Sequence, residues 1–395
     1  MNRTHPPVRK TKYLVVGAGA AGCTFGFLMK RSRNDVLLLE MQNEQQRFKL
    51  CAGILENRAE AAFRDIFGKT AEKAGLVPMH LDKVRVWNDS HELKRAMPGP
   101  GTSLHGADGS VRQQKKSLVD VLRGSLLAGG KALAKKAILE ALGYDAGGGI
   151  AFRVLPRKRF DDYIRDRYLE EGGQILYHTK VLSVKESEGL AECMDLRTKE
   201  KFAVRFWYII GADGAVSSVR RLVTGRQPRA YLALEAAVPL LYRDTIGSLT
   251  KGALGYCWYI PRGEDATVGC GYHQLSDNAY ETCQKRLAAF CAEAGVPVPP
   301  RFYGAFIPEG DDILLHAGKR AYFIGDAAGL NDAFSGGGIH YALLSAQALA
   351  AAFAGKASYE EAMKPHVEFV QKNSKKSKQY YAAAYSVISG FGNKR

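Results

Sequence analysis

Apolar residues fall into two textures along this chain: short unbroken runs, and longer stretches where they return every three or four positions. Tyr13-Leu14-Val15-Val16 and Val36-Leu37-Leu38-Leu39-Glu40 are runs of the first kind. Such runs mark strands buried on both faces of a parallel sheet. Residues 20–31 lie between them with helical spacing, so the chain opens on a strand–helix–strand unit. A helical stretch over 56–67 follows. Another helix starts at Arg157-Lys158-Arg159-Phe160-Asp161 and stops at Gly172-Gly173. Strands are predicted over 174–178, 181–186, 192–197 and 202–210, the last running into Gly211-Ala212-Asp213-Gly214. A more mixed β region covers 229–242, 255–260 and 267–272, followed by a helix over 279–294. A strand at 322–325 comes next, and beyond Gly338 the pattern is helical to the end, with a break near Gly355.

These elements predict an α/β fold in which a Rossmann-type domain is discontinuous in sequence, taking 1–95, 151–225 and 315–355. A β-sheet substrate domain over 226–314 interrupts it, and 356–395 form C-terminal helices. Residues 96–150 stand apart. Glycines and prolines bracket them, and inside lie Arg112, Lys115, Lys116, Arg123, Lys131, Lys135 and Lys136 among leucines at helical intervals. This stretch reads as a basic helical insertion, either a solvated excursion or a docking element.

Composition narrows the class. The chain has 395 residues, 46% hydrophobic and 10% aromatic, which suits a folded protein with more than one structural unit. Its seven cysteines are scattered without CxxC spacing, so neither a disulfide framework nor a zinc site is expected, and a reducing, cytoplasmic compartment is. No metal site is expected from the nine dispersed histidines either. The net charge of +16 suggests an acidic partner, an anionic membrane surface or nucleic acid, without choosing among them. No stretch of about 20 apolar residues is present to span a membrane, which leaves peripheral contact with an anionic inner face. Lys372, Lys375, Lys376 and Lys378, near Tyr380, Tyr381 and Tyr385, would supply it, unless they are simply a solvated face.

The chemistry concentrates at two turns. Gly17-Ala18-Gly19-Ala20-Ala21-Gly22 leaves a buried strand and enters a helix. Its glycines let backbone approach a pyrophosphate that the helix N-terminus favours. Glu40, closing the next strand, is placed to bind a ribose hydroxyl pair. Far along the chain, Ala321-Tyr322-Phe323-Ile324-Gly325-Asp326 repeats the strand-to-turn pattern, followed by Ser335-Gly336-Gly337-Gly338 and a helix. Two nucleotide-type turns so distant in sequence point to one large cofactor held at both ends, FAD. Between them, Asp213-Gly214-Ala215-Val216-Ser217-Ser218-Val219-Arg220 forms a polar turn that is either a capped helix start or part of the same grip.

Together, the first glycine turn, Arg157 with Phe160-Asp161, the Asp213–Arg220 turn and Gly325-Asp326 resemble the aromatic-hydroxylase class of FAD proteins, with a glutathione-reductase-like fold. The resemblance implies that Arg157, Asp213, Gly325 and Asp326 contact the cofactor. It also implies that Asp326 holds the ribityl region and that amides near Gly336, Gly337 and Gly338 stabilise negative charge on the reduced flavin. Tyr256-Cys257-Trp258-Tyr259-Ile260-Pro261, followed by Gly269-Cys270-Gly271, resembles a signature of the geranylgeranyl reductase family, with Ile260 where that family usually has Phe. Lys49-Leu50-Cys51-Ala52-Gly53 resembles its cysteine–glycine motif, with Ala52 where glycine is commoner. The resemblance makes Tyr256 and Trp258 walls of a substrate pocket, the other reading being ordinary core aromatics. It makes Cys51 a proton donor or pocket residue, the other reading being an inert packed thiol. His340, just after the glycines, either faces the flavin or is a packed histidine.

Three functions remain open. The first reduces carbon–carbon double bonds of an isoprenoid or other apolar lipid-like molecule. The second is an oxygen-using monooxygenase or halogenase, since halogenases share the scaffold and the Ile-Pro ending of the Tyr256–Pro261 stretch. The third is a basic adaptor for nucleic acid or membrane. No nucleic-acid motif with interleaved aromatics is present, so no nucleic acid is expected. Only one full dinucleotide fingerprint is visible, so electrons are expected from NAD(P)H without a separate domain or from an acidic, ferredoxin-like carrier.

Overall fold

The computed structural model of this chain describes residues 8–45, 49–80, 83–88, 97–98, 153–243, 245–249, 254–273, 278–333 and 335–392. The expected insertion over 96–150 lies outside the described residues except at its start. The chain opens on β1 (Val8–Val16), α1 (Ala20–Arg31) and β2 (Val36–Leu39), then β3 (Ile54–Leu55), α2 (Asn57–Phe67), β4 (Met79–His80), β5 (Lys83–Asn88) and β6 (Met97–Pro98). It continues through β7 (Arg153–Val154), α3 (Arg157–Glu170), β8 (Gln174–Leu176), β9 (Thr179–Lys185), β10 (Leu190–Asp195), β11 (Lys201–Gly211) and α4 (Ser218–Thr224). The remainder holds β12 (Ala230–Pro239), β13 (Thr245–Leu249), β14 (Gly255–Pro261), β15 (Asp265–Tyr272), α5 (Ala279–Ala294), β16 (Tyr303–Pro308), β17 (His316–Ala317), β18 (Ala321–Phe323), α6 (Ile339–Phe353) and α7 (Tyr359–Gly392).

The first sheet has a parallel run in the order β18-β11-β1-β2-β8. Its centre is formed by the unbroken apolar runs, and Leu14, Val15, Leu38, Ile209 and Ile210 have no exposed surface. Helix α1 packs on it closely because Gly26 has no side chain. A Cβ there would fall 2.8 Å from the ring of Tyr168 in α3, whose hydroxyl donates to the Val36 carbonyl at 3.0 Å. Register does the rest. Val16 pairs with both Gly211 and Leu39, and Gly211 pairs with Phe323. Four strands therefore end on one line, and the loops after them share one edge, where open α/β sheets bind ligands.

The second sheet, in the order β16-β12-β15-β14-β13-β5-β6, packs helix α5 against its core through Leu287, Phe290 and Cys291. A small third sheet, β3-β7-β4, contributes Ile54, Met79 and Val154 to an apolar cluster with Ala233, Trp258 and Ile260 of the second. Strand β5 falls within the stretch 1–95 expected for the first domain. It pairs in parallel with β13, Val84 opposite Thr245, so residues 83–88 belong to the second sheet. Its alternating sequence Lys-Val-Arg-Val-Trp-Asn is that of a half-buried strand and carried the signal. Strands β3, β4 and β7 are two residues long, too short to show any period. No helix among the described residues is long and apolar enough to cross a membrane.

Candidate functional site

Gly17 leaves β1 with φ +99°, a conformation that costs glycine nothing, and a Cβ there would lie 2.4 Å from the Ala212 carbonyl oxygen. The glycine turn thus closes directly onto the loop after β11. At Gly22 a Cβ would meet the Gly17 carbonyl oxygen at 2.0 Å, so α1 begins pressed against the turn it follows. Gly19 is the N-cap of α1 and provides no side chain, and no acid occupies the first helical turn. The leading amides of Ala20, Ala21 and Gly22 have no acceptor within the helix, which leaves a backbone site for an anion. Gly325, with φ +57°, turns the chain after β18 so closely that a Cβ would lie 3.2 Å from Ala21 Cβ. The two turns that the sequence places more than 300 residues apart are neighbours.

Glu40 is buried at the end of β2. Its Oε2 accepts from the Ala18 amide and its Oε1 from the Gln42 amide, both at 2.9 Å, tying the strand end to the glycine turn. Asp213 lies beside Gly17, but its carboxylate is turned onto its own helix. It accepts from Ser217 Oγ at 2.6 Å, from the Ser218 amide at 2.6 Å and from the Val219 amide at 3.1 Å. Burial raises its pKa against the pull of these donors. The capped-helix reading of this turn describes the geometry. Arg220, with no exposed surface, pairs with Asp312 at 2.9 Å and tethers α4 to the loop before β17.

Arg157 and Cys51, singled out for different reasons, are in contact. The Arg157 guanidinium donates to Asp161 Oδ1 at 2.9 Å and stands close to the Cys51 side chain; burial, which lowers its pKa, is outweighed by these two neighbours. Cys51 Sγ also accepts from the Gly53 amide at 3.4 Å. That amide contact puts the sulfur in the acceptor role.

Asp326 is the joint between the two halves of the site. A Cβ on Gly338 would lie 3.0 Å from its Oδ1, while its Oδ2 pairs with Lys49 Nζ at 2.9 Å. The glycine loop is shaped by Asp332, which the sequence reading missed. Asp332 Oδ1 accepts from the Ser335 amide at 2.8 Å and from its hydroxyl at 3.0 Å, and Oδ2 accepts from Asn373 of α7 at 2.9 Å. Asn331 Nδ2 donates to the Gly336 carbonyl at 3.2 Å, but its Oδ1 is buried with no partner. The Gly337 amide, expected to face a flavin, donates to Ser335 Oγ at 3.2 Å. Gly338, the N-cap of α6, keeps the helix N-terminus at this place, with no acid in the first turn.

Tyr256 joins the second sheet to this loop, its hydroxyl donating to the Ser335 carbonyl at 2.7 Å. Its ring lies 5.7 Å from that of Trp258, which packs over Gly269 and whose Nε1 is buried without a partner. Around Tyr256 gather groups that no motif announced. Burial raises its pKa, and Asp332, Glu56 and Cys51 raise it further. Glu56, the N-cap of α2, makes no capping bond to its own helix. A Cβ on Gly337 would lie 3.0 Å from its Oε1, and Arg58 Nη2 stands 3.6 Å from its Oε2. Burial lifts its carboxyl to about 7 despite Arg58, with Asp332 adding to the rise. Tyr231 stacks 3.9 Å from His273, which burial lowers to about 4. Tyr381, named with the basic tail, is 4% exposed and sits within reach of Tyr231 and Tyr256, so it faces the protein and not a surface. The side chains of Tyr380 and Tyr385 lie outside the described residues. His340 packs beside His366 and Arg58, and burial lowers it to about 4.

These residues fit a long dinucleotide: helix amides at one end, Asp326 in the middle, and at the other end a glycine loop flanked by an orphaned Asn331 oxygen. Residues 10–268 match the family described as FAD binding domain. A digeranylgeranylglycerophospholipid reductase of Methanosphaera stadtmanae is 25% identical over 262 residues, covering 58% of this chain and 62% of the relative. The chain thus spans about three-fifths of that relative's length. Among solved structures, a geranylgeranyl bacteriochlorophyll reductase-like protein of Thermoplasma acidophilum aligns with TM-score 0.65 and 18% identity, covering 96% of this chain and 87% of that one. A probable FAD-dependent monooxygenase of Pseudomonas aeruginosa aligns with TM-score 0.63 and 17% identity, covering 97% and 99%. Both establish the fold. The chain belongs to the FAD-binding domain family, and its cofactor is FAD.

Proposed function

Starting from membership of the FAD-binding domain family, we propose that this FAD-dependent oxidoreductase reduces carbon–carbon double bonds in an isoprenoid or similarly apolar lipid-like substrate. One observation carries the reading. The apolar cluster of Ile54, Met79, Val154, Trp258, Ile260 and Ile307 adjoins Tyr256, which is hydrogen-bonded to the glycine loop. An apolar chain laid along that cluster would reach the loop with little polar surface to desolvate. The likeness to a digeranylgeranylglycerophospholipid reductase supports the same substrate class. Bound and reduced, the flavin supplies a hydride.

The chain's own residues do the rest. Asp326 and the leading amides of α1 would fix the cofactor, Asp332 holds the loop in shape, and Tyr256 and Trp258 would orient the alkene. Electrons would come from NAD(P)H or an acidic carrier protein drawn to the basic surface, and the lysines of α7 would favour an anionic membrane or headgroup. The test is anaerobic incubation of reduced holoenzyme with prenyl lipids, followed by mass spectrometry. Gain of two hydrogens per double bond is expected. Product that forms only with oxygen, carrying a hydroxyl or halogen, would instead support the oxygenase or halogenase reading.

A further inference from the structure

Saturating an alkene needs a hydride on one carbon and a proton on the other, so the site must contain an acid. Cys51 is the obvious choice from sequence, yet its sulfur accepts from the Gly53 amide at 3.4 Å and stands close to the Arg157 guanidinium. The phenol of Tyr256 is committed to the Ser335 carbonyl at 2.7 Å. Asp332 is occupied on both oxygens by Ser335 and Asn373.

Glu56 differs from all three. It sits directly after β3, whose Ile54 belongs to the apolar cluster, so it stands where that cluster meets the glycine loop. It holds the N-cap place of α2 but makes no bond to the helix amides, its side chain being longer than those of the usual capping residues. Its carboxyl is directed instead at Gly337 and Arg58. Asn331 Oδ1 and Trp258 Nε1 are buried nearby, on the loop and on the cluster, without partners, as expected where a ligand completes the bonding.

We propose that Glu56 is the proton donor of the reaction. The proposal rests on the reductase reading. In the step, the reduced flavin would supply a hydride, which carries both electrons, to one alkene carbon, and the Glu56 O–H proton goes to the other. The π bond and the two donor bonds to hydrogen break, and two C–H bonds form. Glu56 is left as a carboxylate beside Arg58 and regains its proton from water. The groups facing it are Arg58 on its own helix, Asp332 of the loop and Tyr256 of β14, with Cys51 beside Tyr256 and His340 and His366 flanking Arg58. Burial keeps the acid protonated up to about pH 7, where a donor is useful.

The experiment compares wild type, Glu56→Gln, Glu56→Asp and Cys51→Ala. Each is loaded with FAD, reduced anaerobically and given a geranylgeranyl-chain phospholipid in detergent. Glu56→Gln should slow saturation about 100-fold, Glu56→Asp less, and Cys51→Ala less than Glu56→Gln. The wild-type rate should fall as pH rises through about 7, and Glu56→Gln should lose that limb. Independently of turnover, infrared difference spectra of the FAD-free protein should show a protonated carboxyl band that titrates near pH 7 and is absent in Glu56→Gln. Should Glu56→Gln not fold, Glu56→Asp and the infrared titration of wild type decide the matter. A wild-type rate in Glu56→Gln, a larger loss in Cys51→Ala, or no titrating carboxyl band overturns the donor role. No product from wild type overturns the reductase reading and the donor role with it, whatever the infrared shows.

Discussion

At the edge where β1, β2 and β11 end, the contacts are made by backbone, and the acids are occupied: Glu40 by two amides, Asp213 by a hydroxyl and two amides. At the 331–338 loop, side chains from four separate stretches of chain converge, and some buried polar atoms lack partners or carry shifted proton affinities. The acids of the first region are held by their own backbone, as suits a turn that would hold a phosphate. The second retains unpartnered polarity, as suits the proton transfer proposed for it. A fold can thus fix the place of a cofactor firmly while leaving the chemistry to a few side chains.

Substitutions at the two regions should fail differently. The largest effect is expected from Gly17→Ala. The added Cβ meets the Ala212 carbonyl and forces a positive φ on alanine, about 1–3 kcal/mol from strain alone, so FAD retention should fall at least about tenfold. Visible flavin absorption of the purified protein reads this directly, and full retention would show that the turn is not a phosphate grip.

Next comes Glu56→Gln, read by thermal unfolding against pH. A carboxyl raised from 4.5 to about 7 contributes stability that is complete below about pH 4.5 and is lost as pH rises through 7. Wild type should therefore lose about 3 kcal/mol across that window, and the glutamine variant should not, leaving it the more stable of the two at pH 8. Equal slopes would mean that Glu56 is an ordinary surface acid.

Asp213→Ala should cost about 1–2 kcal/mol of stability through lost capping of α4, with a smaller loss of FAD affinity than Gly17→Ala. The reverse ranking would make Asp213 a cofactor ligand first. The smallest effect belongs to Lys49→Ala, which releases Asp326 from a half-exposed ion pair of roughly 0.5 kcal/mol. FAD should then bind about twofold tighter in equilibrium titration. Weaker binding would make Lys49 a ligand of the cofactor and not a competitor for Asp326.

The same contrast explains what the sequence disclosed. The first region was legible because backbone demands leave marks: Gly17 and Gly325 at positive φ, unbroken apolar runs for buried strands, an acid at the end of β2. Helices α1 and α5 fall on the residues expected from spacing alone. The second region was half hidden. Asn331 and Asp332 lie between two recognised motifs yet belong to neither, and Glu56 looks like any acid opening a helix until its partners are seen. Tyr231 sits in a strand and His273 directly after one, where the pattern shows burial but not what the side chains meet. Spacing reports local geometry; it says nothing of convergence between residues 56, 256, 332 and 373.

The pairing of β11 with β1 on one side and β18 on the other has a consequence for how the molecule comes into being. A ribosome that has made the first glycine turn has made nothing that can hold a dinucleotide, because the partner edge at Gly211 arrives about 200 residues later and the turn at Gly325 later still. Such distant parallel pairings are slow to find, since long loops must close before any contact repays them. Yellow colour in a growing culture would therefore mark chains that have been synthesised at least to α6, and partial products would stay pale.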